Sequence, residues 1–515
     1  MQNYQILWAD DEIDLLKPHI LFLKQKGYEV TPVNSGADAL DMFQEYNYDV
    51  IFLDENMPGM SGLETLSQMK SLKPHIPVVM ITKSEEEHIM EEAIGAKISD
   101  YLIKPLNPNQ ILLSVKKILE NKRIISEKTN LNYQQDFRNL AMAFGDKLNF
   151  EEWGDIYKKL VHWELALEQS EDKSMREVLE MQKSEANTNF TKFIFQHYES
   201  WLNDAATPKP LLSHQVLRKK VFTDMSDKTF FILIDNLRYD QWRVLSPIIG
   251  EYFNIEEESL YYAILPTTTA YARNAIFAGM MPADIAKYYP QYWKDEEDEE
   301  GKNLYEGELL GKQLEKNKVQ AKYSYHKIIT NTQGKSLLDN FKNLLHYDLN
   351  VIVYNFVDML SHARTDMQMI RELAPDEAAY RSITKSWFIH SPLLELIKQI
   401  SEAKAKLIIT TDHGTIRVKR PFKIIGDKTT NTNLRYKQGK NLSFQGREAL
   451  ETRKPEKFFL PKPNISTSYV FATEDYFFAY PNNYNYYVSY FKDTFQHGGI
   501  SMEEILVPFV SLKAK

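Results

Sequence analysis

Short apolar runs that end in an aspartate recur along the chain and restrict what it can fold into. Residues 4–11 read YQILWADD, residues 49–54 read DVIFLD, residues 229–235 read TFFILID and residues 406–412 read KLIITTD. Runs of this length and composition are typical of buried strands, and near the N-terminus they alternate with amphipathic stretches of helical period. This alternation predicts parallel sheets that are covered by helices.

Changes of pattern along the chain predict three domains. Residues 1–120 alternate strand-like and helix-like segments, residues 121–205 show only helical periodicity, and residues 206–515 return to buried strands. A chain of 515 residues is too long for a single hydrophobic core. We therefore expect an α/β protein with an N-terminal doubly wound, flavodoxin-like domain, a central helical bundle and a larger C-terminal α/β domain.

The composition limits the classes of site and partner. The chain has no cysteine, which excludes disulfides and thiolate metal sites. A formal net charge of -9 over 515 residues gives no overall attraction to nucleic acids or membranes. The N-terminus has no basic segment before its first apolar residues, and no run of 18 apolar residues occurs later. We expect a soluble, cytoplasmic protein without membrane insertion.

Polar side chains lie at the ends of predicted strands in the first domain. They are Asp10, Asp11, Asp54, Thr82 and Lys104. Because the carboxyl ends of neighbouring parallel strands converge on one crevice, we expect these side chains to meet. Three carboxylates in one pocket repel each other unless a hard cation such as Mg²⁺ neutralises them. The lysine and the hydroxyl are then placed to stabilise charge on phosphoryl oxygens.

At these residues, the segment 1–120 resembles the receiver domains of bacterial response regulators. The resemblance implies that Asp54 is the residue that is phosphorylated. It also implies that Asp11, Asp54 and the backbone carbonyl of Asn56 bind Mg²⁺, while Asp10 acts through water.

The same resemblance implies a switch and two kinds of partner. Thr82 and Lys104 would sense the phosphoryl group, and Tyr101 would be the switch aromatic. A phosphoryl group adds nearly two negative charges, which the two sensing residues would follow. A sensor histidine kinase is the expected phosphate donor, and a homodimer formed on phosphorylation is the expected response.

The C-terminal domain places a different set of residues at strand ends. Asp358 follows the run NVIVYNF, and His362 comes four residues later, one helical turn or a tight loop away. Oxygen and nitrogen donors in equal number suit Zn²⁺, with Mn²⁺ as the second choice. The six candidate ligands are Asp235, Asp358, His362, Asp412, His413 and His497.

A run of three threonines, residues 267–269, lies between the first of these aspartates and the others. A helical stretch that ends at Gly279 follows, and a threonine at a helix N-terminus sits where backbone N–H groups attract anions. Alone, such a run is more typical of a strand or a helix cap. Beside six candidate ligands it favours a nucleophile, because zinc lowers the pKa of a hydroxyl and a second metal stabilises the leaving oxygen.

The order Asp, Thr, Asp-x-x-x-His, Asp-His-Gly, His-Gly-Gly resembles the PglZ-type branch of the alkaline-phosphatase superfamily across residues 206–515. The segment PTTTAYARNAIFAGMMP also resembles the nucleophile segment of nucleotide pyrophosphatase/phosphodiesterases, which selects Thr269 over Thr268 and favours phosphodiesters over monoesters. We identify no equivalent of the phosphate-clamping arginine of alkaline phosphatase. The resemblance implies one metal held by Asp235, Thr269, Asp412 and His413, and a second held by Asp358, His362 and His497.

Residues 416–440 are rich in basic side chains and have two interpretations. The segment could be a basic lid that attracts a polyanionic substrate, with aromatic residues that stack on bases. It could equally be a solvated excursion packed by its aromatic residues. The eight basic residues are Arg417, Lys419, Arg420, Lys423, Lys428, Arg435, Lys437 and Lys440.

A receiver domain, a helical spacer and a PglZ-type domain in this order resemble the PorX-type response regulators associated with type IX secretion. The resemblance implies a cytoplasmic two-component protein without a separate DNA-binding domain. The leading hypothesis is a zinc-dependent phosphodiesterase that is controlled by phosphorylation and acts on oligonucleotides or cyclic nucleotides. The alternative is a catalytically weak signalling adaptor that binds a sigma or transcription factor or a secretion component.

Overall fold

The computed structural model describes residues 4–83, 98–144, 147–168, 173–225, 228–295, 301–427 and 430–515. The chain forms two compact units, residues 1–132 and 133–515. The division falls inside a helix of 36 residues. The three-domain limits at residues 120 and 205 stay predictions.

The first unit contains a parallel sheet with helices, as predicted. Its strands are β1 (Tyr4–Ala9), β2 (Tyr28–Val33), β3 (Val50–Asp54), β4 (Val78–Thr82) and β5 (Asp100–Ile103). Its helices are α1 (Lys17–Gln25), α2 (Gly36–Glu45), α3 (Gly62–Leu72) and the start of α4 (Pro108–Ala143). The strand order is β2-β1-β3-β4-β5, and every pair is parallel.

The sheet of the first unit is buried on both faces. Leu7 and Ala9 belong to one hydrophobic cluster, and Ile6 and Trp8 belong to another. Successive residues of a strand point to opposite faces, so these two clusters lie on the two sides of the sheet. A strand buried on both sides reads as a continuous apolar run. The doubly wound fold predicted for this segment is confirmed.

The strands of the second unit form one large sheet and three small sheets. They are β6 (Thr229–Ile234), β7 (Phe253–Tyr262), β8 (Tyr323–Ile328), β9 (Leu349–Tyr354), β10 (Lys406–Thr410), β11 (Ile416–Arg417), β12 (Arg420–Ile425), β13 (Tyr436–Gly439), β14 (Ser443–Phe444), β15 (Ala449–Thr452), β16 (Ser468–Ala472), β17 (Tyr476–Ala479), β18 (Phe495–Gln496) and β19 (Leu506–Ala514). The large sheet has the order β7-β19-β10-β6-β9-β8. Its four strands β10, β6, β9 and β8 are parallel, and β19 runs antiparallel to β10 and β7.

The second unit also contains helices and several short irregular turns. The helices are α5 (Phe150–Glu168), α6 (Lys173–Asn203), α7 (Tyr239–Ile249), α8 (Asn274–Ala278), α9 (Pro282–Tyr288), α10 (Glu306–Lys316), α11 (Asn331–Asp339), α12 (Phe341–Leu344), α13 (Phe356–Asp366), α14 (Gln368–Leu373), α15 (Glu377–His390), α16 (Pro392–Glu402), α17 (Tyr484–Phe491) and α18 (Met502–Ile505). A π-helical turn, Thr269–Arg273, leads into α8. Across the described part of the chain, no helix combines the length and the apolar character needed to cross a membrane.

The helices α5 and α6 share one hydrophobic core with the large sheet. Phe190 and Trp201 on α6 pack against Tyr262 at the end of β7, with ring centroids 6.2 and 5.4 Å apart. Trp153 on α5 belongs to the same cluster. The helical segment is therefore built into the second unit through its apolar face.

A buried ion network also joins these helices to the C-terminal domain. Arg381 on α15 is 4% exposed and donates to Glu164 on α5 at 2.6 Å and to Asp240 on α7 at 2.8 Å. A second nitrogen of its guanidinium lies 2.8 Å from Glu168. Arg381 thus contacts three carboxylates, of which Glu164 also pairs with Lys183 and Asp240 also pairs with Arg238.

We predict that Arg381→Met destabilises the second unit by up to about 3 kcal/mol, because it removes one counter-charge from the buried carboxylates while Lys183 and Arg238 remain. Urea unfolding followed by tryptophan fluorescence measures the change. Arg243→Met is the control, because the Arg243 side chain is 43% exposed in its ion pair with Glu258, and such pairs contribute about 1 kcal/mol or less. Equal effects of the two substitutions would contradict the prediction.

Candidate functional site

The first unit brings its predicted acidic residues together at the carboxyl ends of β1 and β3. Asp10 and Asp54 are buried, Asp11 is exposed, and one carboxylate oxygen of each lies within 4.8 Å of the others. Lys104, which follows β5, places Nζ 2.9 Å from Asp10 Oδ2 and 2.9 Å from Asp54 Oδ1. The lysine supplies one positive charge beside three carboxylates, so this pocket is suited to a divalent cation.

Burial raises the pKa of Asp54, and the carboxylates of Asp10 and Asp11 add to this effect, while the hydrogen bond with Lys104 opposes it. A bound Mg²⁺ would lower the pKa again and keep the carboxylate ionised. The acidic residues therefore fit the Mg²⁺ site that the sequence predicts.

The other predicted residues of this pocket occupy neighbouring positions in the chain or the sheet. Thr82 is the buried last residue of β4, and it pairs with Ile103 directly before Lys104. Tyr101 in β5 is 38% exposed, as an aromatic residue on the sheet edge would be. Asn56 is exposed two residues after the phosphorylation candidate.

In the second unit, the candidate ligands lie at one edge of the large sheet. The strands β10, β6 and β9 are adjacent and parallel, so their carboxyl ends meet. Asp235 directly follows β6, Asp412 and His413 follow β10, and Asp358 lies in the first turn of α13 after β9. His497 precedes β19, whose antiparallel direction puts its amino end at the same edge.

The first ligand group consists of Asp235, Asp412 and His413, and all three residues are buried. One ligand atom of each lies within 4.8 Å of the others. Thr269 begins the π-helical turn and directs its hydroxyl into this group, with Oγ1 3.1 Å from His413 Nε2 and 3.3 Å from Asp235 Oδ1. The structure brings together the four residues that the sequence assigns to one metal.

The second ligand group consists of Asp358, His362 and His497. Asp358 Oδ2 lies 3.5 Å from His362 Nε2, one helical turn along α13, and Asp358 Oδ1 lies 3.5 Å from His497 Nε2. The His362 side chain is 65% exposed, whereas the His497 side chain is 12% exposed. This group therefore opens to solvent on the His362 side.

The two groups are adjacent. The rings of His413 and His497, one from each group, stack with centroids 4.3 Å apart. Asn236 connects the groups, because its backbone N–H donates to Asp412 Oδ1 at 3.4 Å and its side-chain amide donates to Asp358 Oδ1 at 3.3 Å. The arrangement can hold two cations side by side, as in enzymes that use two metals at phosphorus.

The three threonines at residues 267–269 differ in the partners of their hydroxyl groups. The Thr268 hydroxyl is buried and makes no hydrogen bond with any residue that the structure describes. The Thr267 hydroxyl donates to the Gly499 carbonyl at 2.9 Å, on the loop that carries His497. Thr269 contacts the ligand group itself, and this contact favours it as the nucleophile.

The donor atoms fit divalent cations. Asp235 Oδ2 and Asp412 Oδ2 are buried and accept no hydrogen bond from the described residues. Burial raises the pKa of Asp235 well above its ordinary value despite the nearby guanidinium of Arg273. Burial, together with His413 and His362, holds the pKa of His497 well below its ordinary value. The His497 imidazole is therefore neutral, the form that ligates a metal.

Three residues of the site were not predicted from the sequence. They are Arg273 and Glu306, which are charged, and Asn236, whose amide connects the two ligand groups. Arg273 is 1% exposed and lies 3.0 Å from Asp235 and 2.7 Å from the buried Glu306. Its position, one helical turn after Thr269, is the signal that could have indicated it. Asn236 has a positive φ of 64° directly after a ligand, a conformation that asparagine tolerates. Glu306 carries no such signal.

The basic segment 416–440 is largely paired or buried. Arg435 is fully buried and donates to Glu504 at 3.1 and 2.7 Å, and burial lowers the pKa of Lys437 to about 7. Lys428 lies outside the described residues. These contacts favour the packed interpretation over a bare basic lid. The remaining ion pairs join Arg417 to Asp493, Lys419 to Glu180, and Arg420 to Glu474 and Asp475.

Relatives and solved structures resemble the first quarter of the chain. The transcriptional regulatory protein ZraR of Escherichia coli O157:H7 is 35% identical over 127 residues, which cover 25% of this chain and 29% of ZraR. ResD of Bacillus subtilis is 33% identical over 115 residues, 22% of this chain and 48% of ResD. The chain therefore matches less than half the length of these relatives.

Two receiver structures cover the same part of the chain. One is a CheY-like receiver domain protein from Methanospirillum hungatei JF-1, with 25% identity and a TM-score of 0.23, which covers 23% of this chain and 96% of its own. The other is CheY4 of Vibrio cholerae, with 29% identity and a TM-score of 0.22, which covers 23% and 99%.

Family models cover most of the chain in three consecutive segments. They are a response regulator receiver domain over residues 6–116, a PorX response regulator linker domain over residues 123–202, and a BREX system PglZ alkaline phosphatase-like domain over residues 212–512. The last of these spans more than half of the chain and includes every ligand of both groups. The chain therefore belongs to the PglZ alkaline phosphatase-like family, in the PorX-type arrangement of receiver, linker and PglZ domain.

Proposed function

We propose that this chain is a two-component response regulator in which phosphorylation of Asp54 controls a zinc-dependent phosphodiesterase with Thr269 as its nucleophile. One observation carries the proposal: the Thr269 hydroxyl points between Asp235 and His413, 3.3 and 3.1 Å away. A threonine with a purely structural role has no need of this position. Membership of an alkaline phosphatase-like family supports a phosphoesterase-type hydrolase.

In the proposed reaction, Thr269 Oγ forms a bond to phosphorus while the ester oxygen of the leaving group departs. Asp235 Oδ1 is within hydrogen-bonding distance of the hydroxyl and accepts its proton. Asp235 gives up this proton to solvent, and the departing oxygen takes up a proton from solvent. Water then hydrolyses the phosphothreonine ester, with its hydroxyl going to phosphorus and its proton to Thr269 Oγ. Two zinc ions, when bound, lower the pKa of the hydroxyl and stabilise negative charge on the leaving oxygen.

The proposed metals follow from the donor atoms. Asp235, Asp412 and His413 would hold one Zn²⁺ with Thr269, and the second ligand group would hold another. Mixed carboxylate and imidazole ligands suit Zn²⁺ first and Mn²⁺ second. The oxygen-only pocket of the receiver domain would hold Mg²⁺.

The charge of the two ligand groups favours a diester over a monoester. Their three carboxylates, Asp235, Asp358 and Asp412, carry three negative charges when ionised. Two divalent cations exceed this by one positive charge, which matches the single negative charge of a phosphodiester. A monoester dianion would leave one negative charge uncompensated in a site that is largely buried.

Nucleotide-type substrates are supported by an exposed aromatic surface on α17, which ends six residues before His497 in the chain. Five of the eight residues of α17 are aromatic, and none of the eight, all of which the structure describes, is buried. Tyr486 is 65% exposed, and the Arg371 guanidinium lies 5.3 Å from the centroid of the Tyr490 ring. The chain continues from α17 through β18 to His497. Exposed rings of this kind can stack on the bases of oligonucleotides or cyclic nucleotides.

The proposed regulation starts from a sensor histidine kinase that phosphorylates Asp54. Movement of Thr82, Tyr101 and Lys104 would follow the added charge, and the protein would dimerise. The PorX-type order of domains supports a cytoplasmic role linked to type IX secretion, with a sigma or transcription factor or a secretion component as a further partner.

A signalling adaptor with weak catalysis is the second candidate. The paired and buried basic residues between 416 and 440 favour it, because they offer little free charge to a polyanionic substrate. The complete ligand groups and the position of Thr269 favour the enzyme.

We predict that Thr269→Ala lowers hydrolysis of bis-p-nitrophenyl phosphate by on the order of 10³-fold or more, because the attacking oxygen is removed. Initial rates of p-nitrophenol release with zinc present measure the effect. Thr268→Ala is the matched control and should keep a rate near that of the wild type. A loss of activity in the Thr268 variant alone would move the nucleophile to that residue.

We predict that zinc raises the melting temperature of the second unit and that a chelator reverses the rise. Ligand at 100 times its Kd adds about 2.7 kcal/mol per site, which corresponds to a shift of a few degrees. Differential scanning calorimetry measures the shift. His362→Ala should fold normally, because this side chain is 65% exposed, and should lose part of the shift. A wild-type melting temperature that is independent of zinc would count against the metal sites.

We predict that acetyl phosphate shifts the wild-type protein from monomer to dimer, and that Asp54→Ala abolishes the shift because the phosphorylated carboxylate is missing. Multi-angle light scattering measures the mass. Asp14→Ala removes an exposed acid from the same domain, with 85% of its side chain exposed, and should still dimerise. An unchanged wild-type mass would refute this regulation.

A further inference from the structure

A buried arginine lies behind the first ligand group. Arg273 Nη1 is 3.0 Å from Asp235 Oδ2, and Arg273 Nε is 2.7 Å from Glu306 Oε1 and 3.7 Å from Asp412 Oδ2. Its side chain is 1% exposed, and the three carboxylates are equally buried. Because the side chain is buried and its ion pairs within the described residues are to carboxylates, Arg273 is not placed to bind substrate.

The two oxygens of Asp235 have different partners. Oδ1 faces the Thr269 hydroxyl at 3.3 Å, while Oδ2 faces Arg273 at 3.0 Å. The Arg273 guanidinium does not have hydrogen-bond geometry toward Oδ2, but it is a close, buried ion-pair partner of that oxygen. Its attraction for Oδ2 favours the carboxylate orientation that directs Oδ1 at the reacting hydroxyl. The Oδ1 atom of Asp412 is held by the backbone N–H of His413 at 3.2 Å.

Arg273 lies among three buried carboxylates, Asp235, Asp412 and Glu306. A buried carboxylate without a close counter-charge is costly. Arg273 is a counter-charge that Asp235 and Asp412 share. Glu306 is itself fixed, because the Tyr325 hydroxyl donates to it and Lys327 Nζ lies 3.6 Å away.

We propose that Arg273, paired with Glu306, is a positioning residue that holds Asp235 and Asp412 in the orientation required by the first metal. This inference rests on the proposed function only in that the first ligand group binds a divalent cation. Side chains that orient metal ligands commonly contribute a 10- to 100-fold factor to metal affinity.

The test uses the full-length chain with His362→Ala as background, which removes a ligand from the second group and isolates the first. Zinc affinity is measured by competition with a chromophoric chelator, and zinc content by mass spectrometry after dialysis. Adding Arg273→Met should weaken zinc binding at the first group by about 10- to 100-fold. Arg273→Lys keeps the positive charge but lacks the planar guanidinium, so its zinc affinity should lie between that of the background and that of Arg273→Met. Arg243→Met, an exposed arginine, is the matched control and should bind as the background does.

Arg273→Met combined with Glu306→Gln removes one positive and one negative charge together. Weak zinc binding by this pair supports positioning, whereas restored affinity would show that charge balance alone matters and would overturn the proposal. Unchanged affinity in Arg273→Met would also overturn it. If circular dichroism shows that Arg273→Met does not fold, the lysine variant decides, and background-level affinity there overturns the proposal.

The failure of this inference differs from failure of the proposed function. A wild-type chain that binds no zinc in the second unit would remove both. A wild-type chain that binds two zinc ions and loses activity in Thr269→Ala, together with an Arg273→Met variant of unchanged affinity, would remove this inference and leave the proposed function standing.

Discussion

Repulsion between carboxylates at one edge of a sheet is the constraint on which the second unit depends. The adjacent strands β10, β6 and β9 end together, so Asp412, Asp235 and Asp358 meet. Two like charges 4 Å apart cost about 4 kcal/mol at an effective dielectric constant of 20. Such a cluster needs positive charge beside it or a proton on one carboxylate, which is consistent with the raised pKa of Asp235. This requirement connects the fold with the proposed metal binding and with the buried Arg273.

In the receiver pocket, carboxylates also repel each other, and here the positive side chain beside them is a lysine, Lys104. Lys104 reaches Asp10 and Asp54 with a side chain that is 12% exposed, whereas Arg273 is 1% exposed and is held on several sides. A flexible ammonium can follow a phosphoryl group as it appears on Asp54. A planar guanidinium surrounded by carboxylates is suited to keep those carboxylates in a fixed orientation. The two cations therefore suit a site that switches and a site that stays constant.

The convergence of the candidate ligands could be predicted from the sequence because strands and their ends leave a local pattern. Asp235, Asp358 and Asp412 each follow an apolar run, and the parallel fold alone brings them together. The partners of the basic segment could not be predicted in this way. Arg435 looks like part of a basic patch until Glu504, 69 residues later, neutralises it in the core. Glu306 was missed for the same reason, because a count of charges along the chain does not show which distant residue each charge will meet.

The helices α5 and α6 are more than a spacer between domains, because α6 contacts residues next to the loops that carry the ligand groups. Asn187 on α6 donates to Glu503 at 2.9 Å and accepts from the Met502 N–H at 2.8 Å. A Cβ at Gly414, directly after His413, would collide with the carbonyl oxygen of Glu503. A displacement of α6 would therefore reach the Asp-His-Gly turn through a contact with no room to absorb it. The same helices share the core of the large sheet, so a displacement of these helices would be transmitted to the ligand groups through packed contacts.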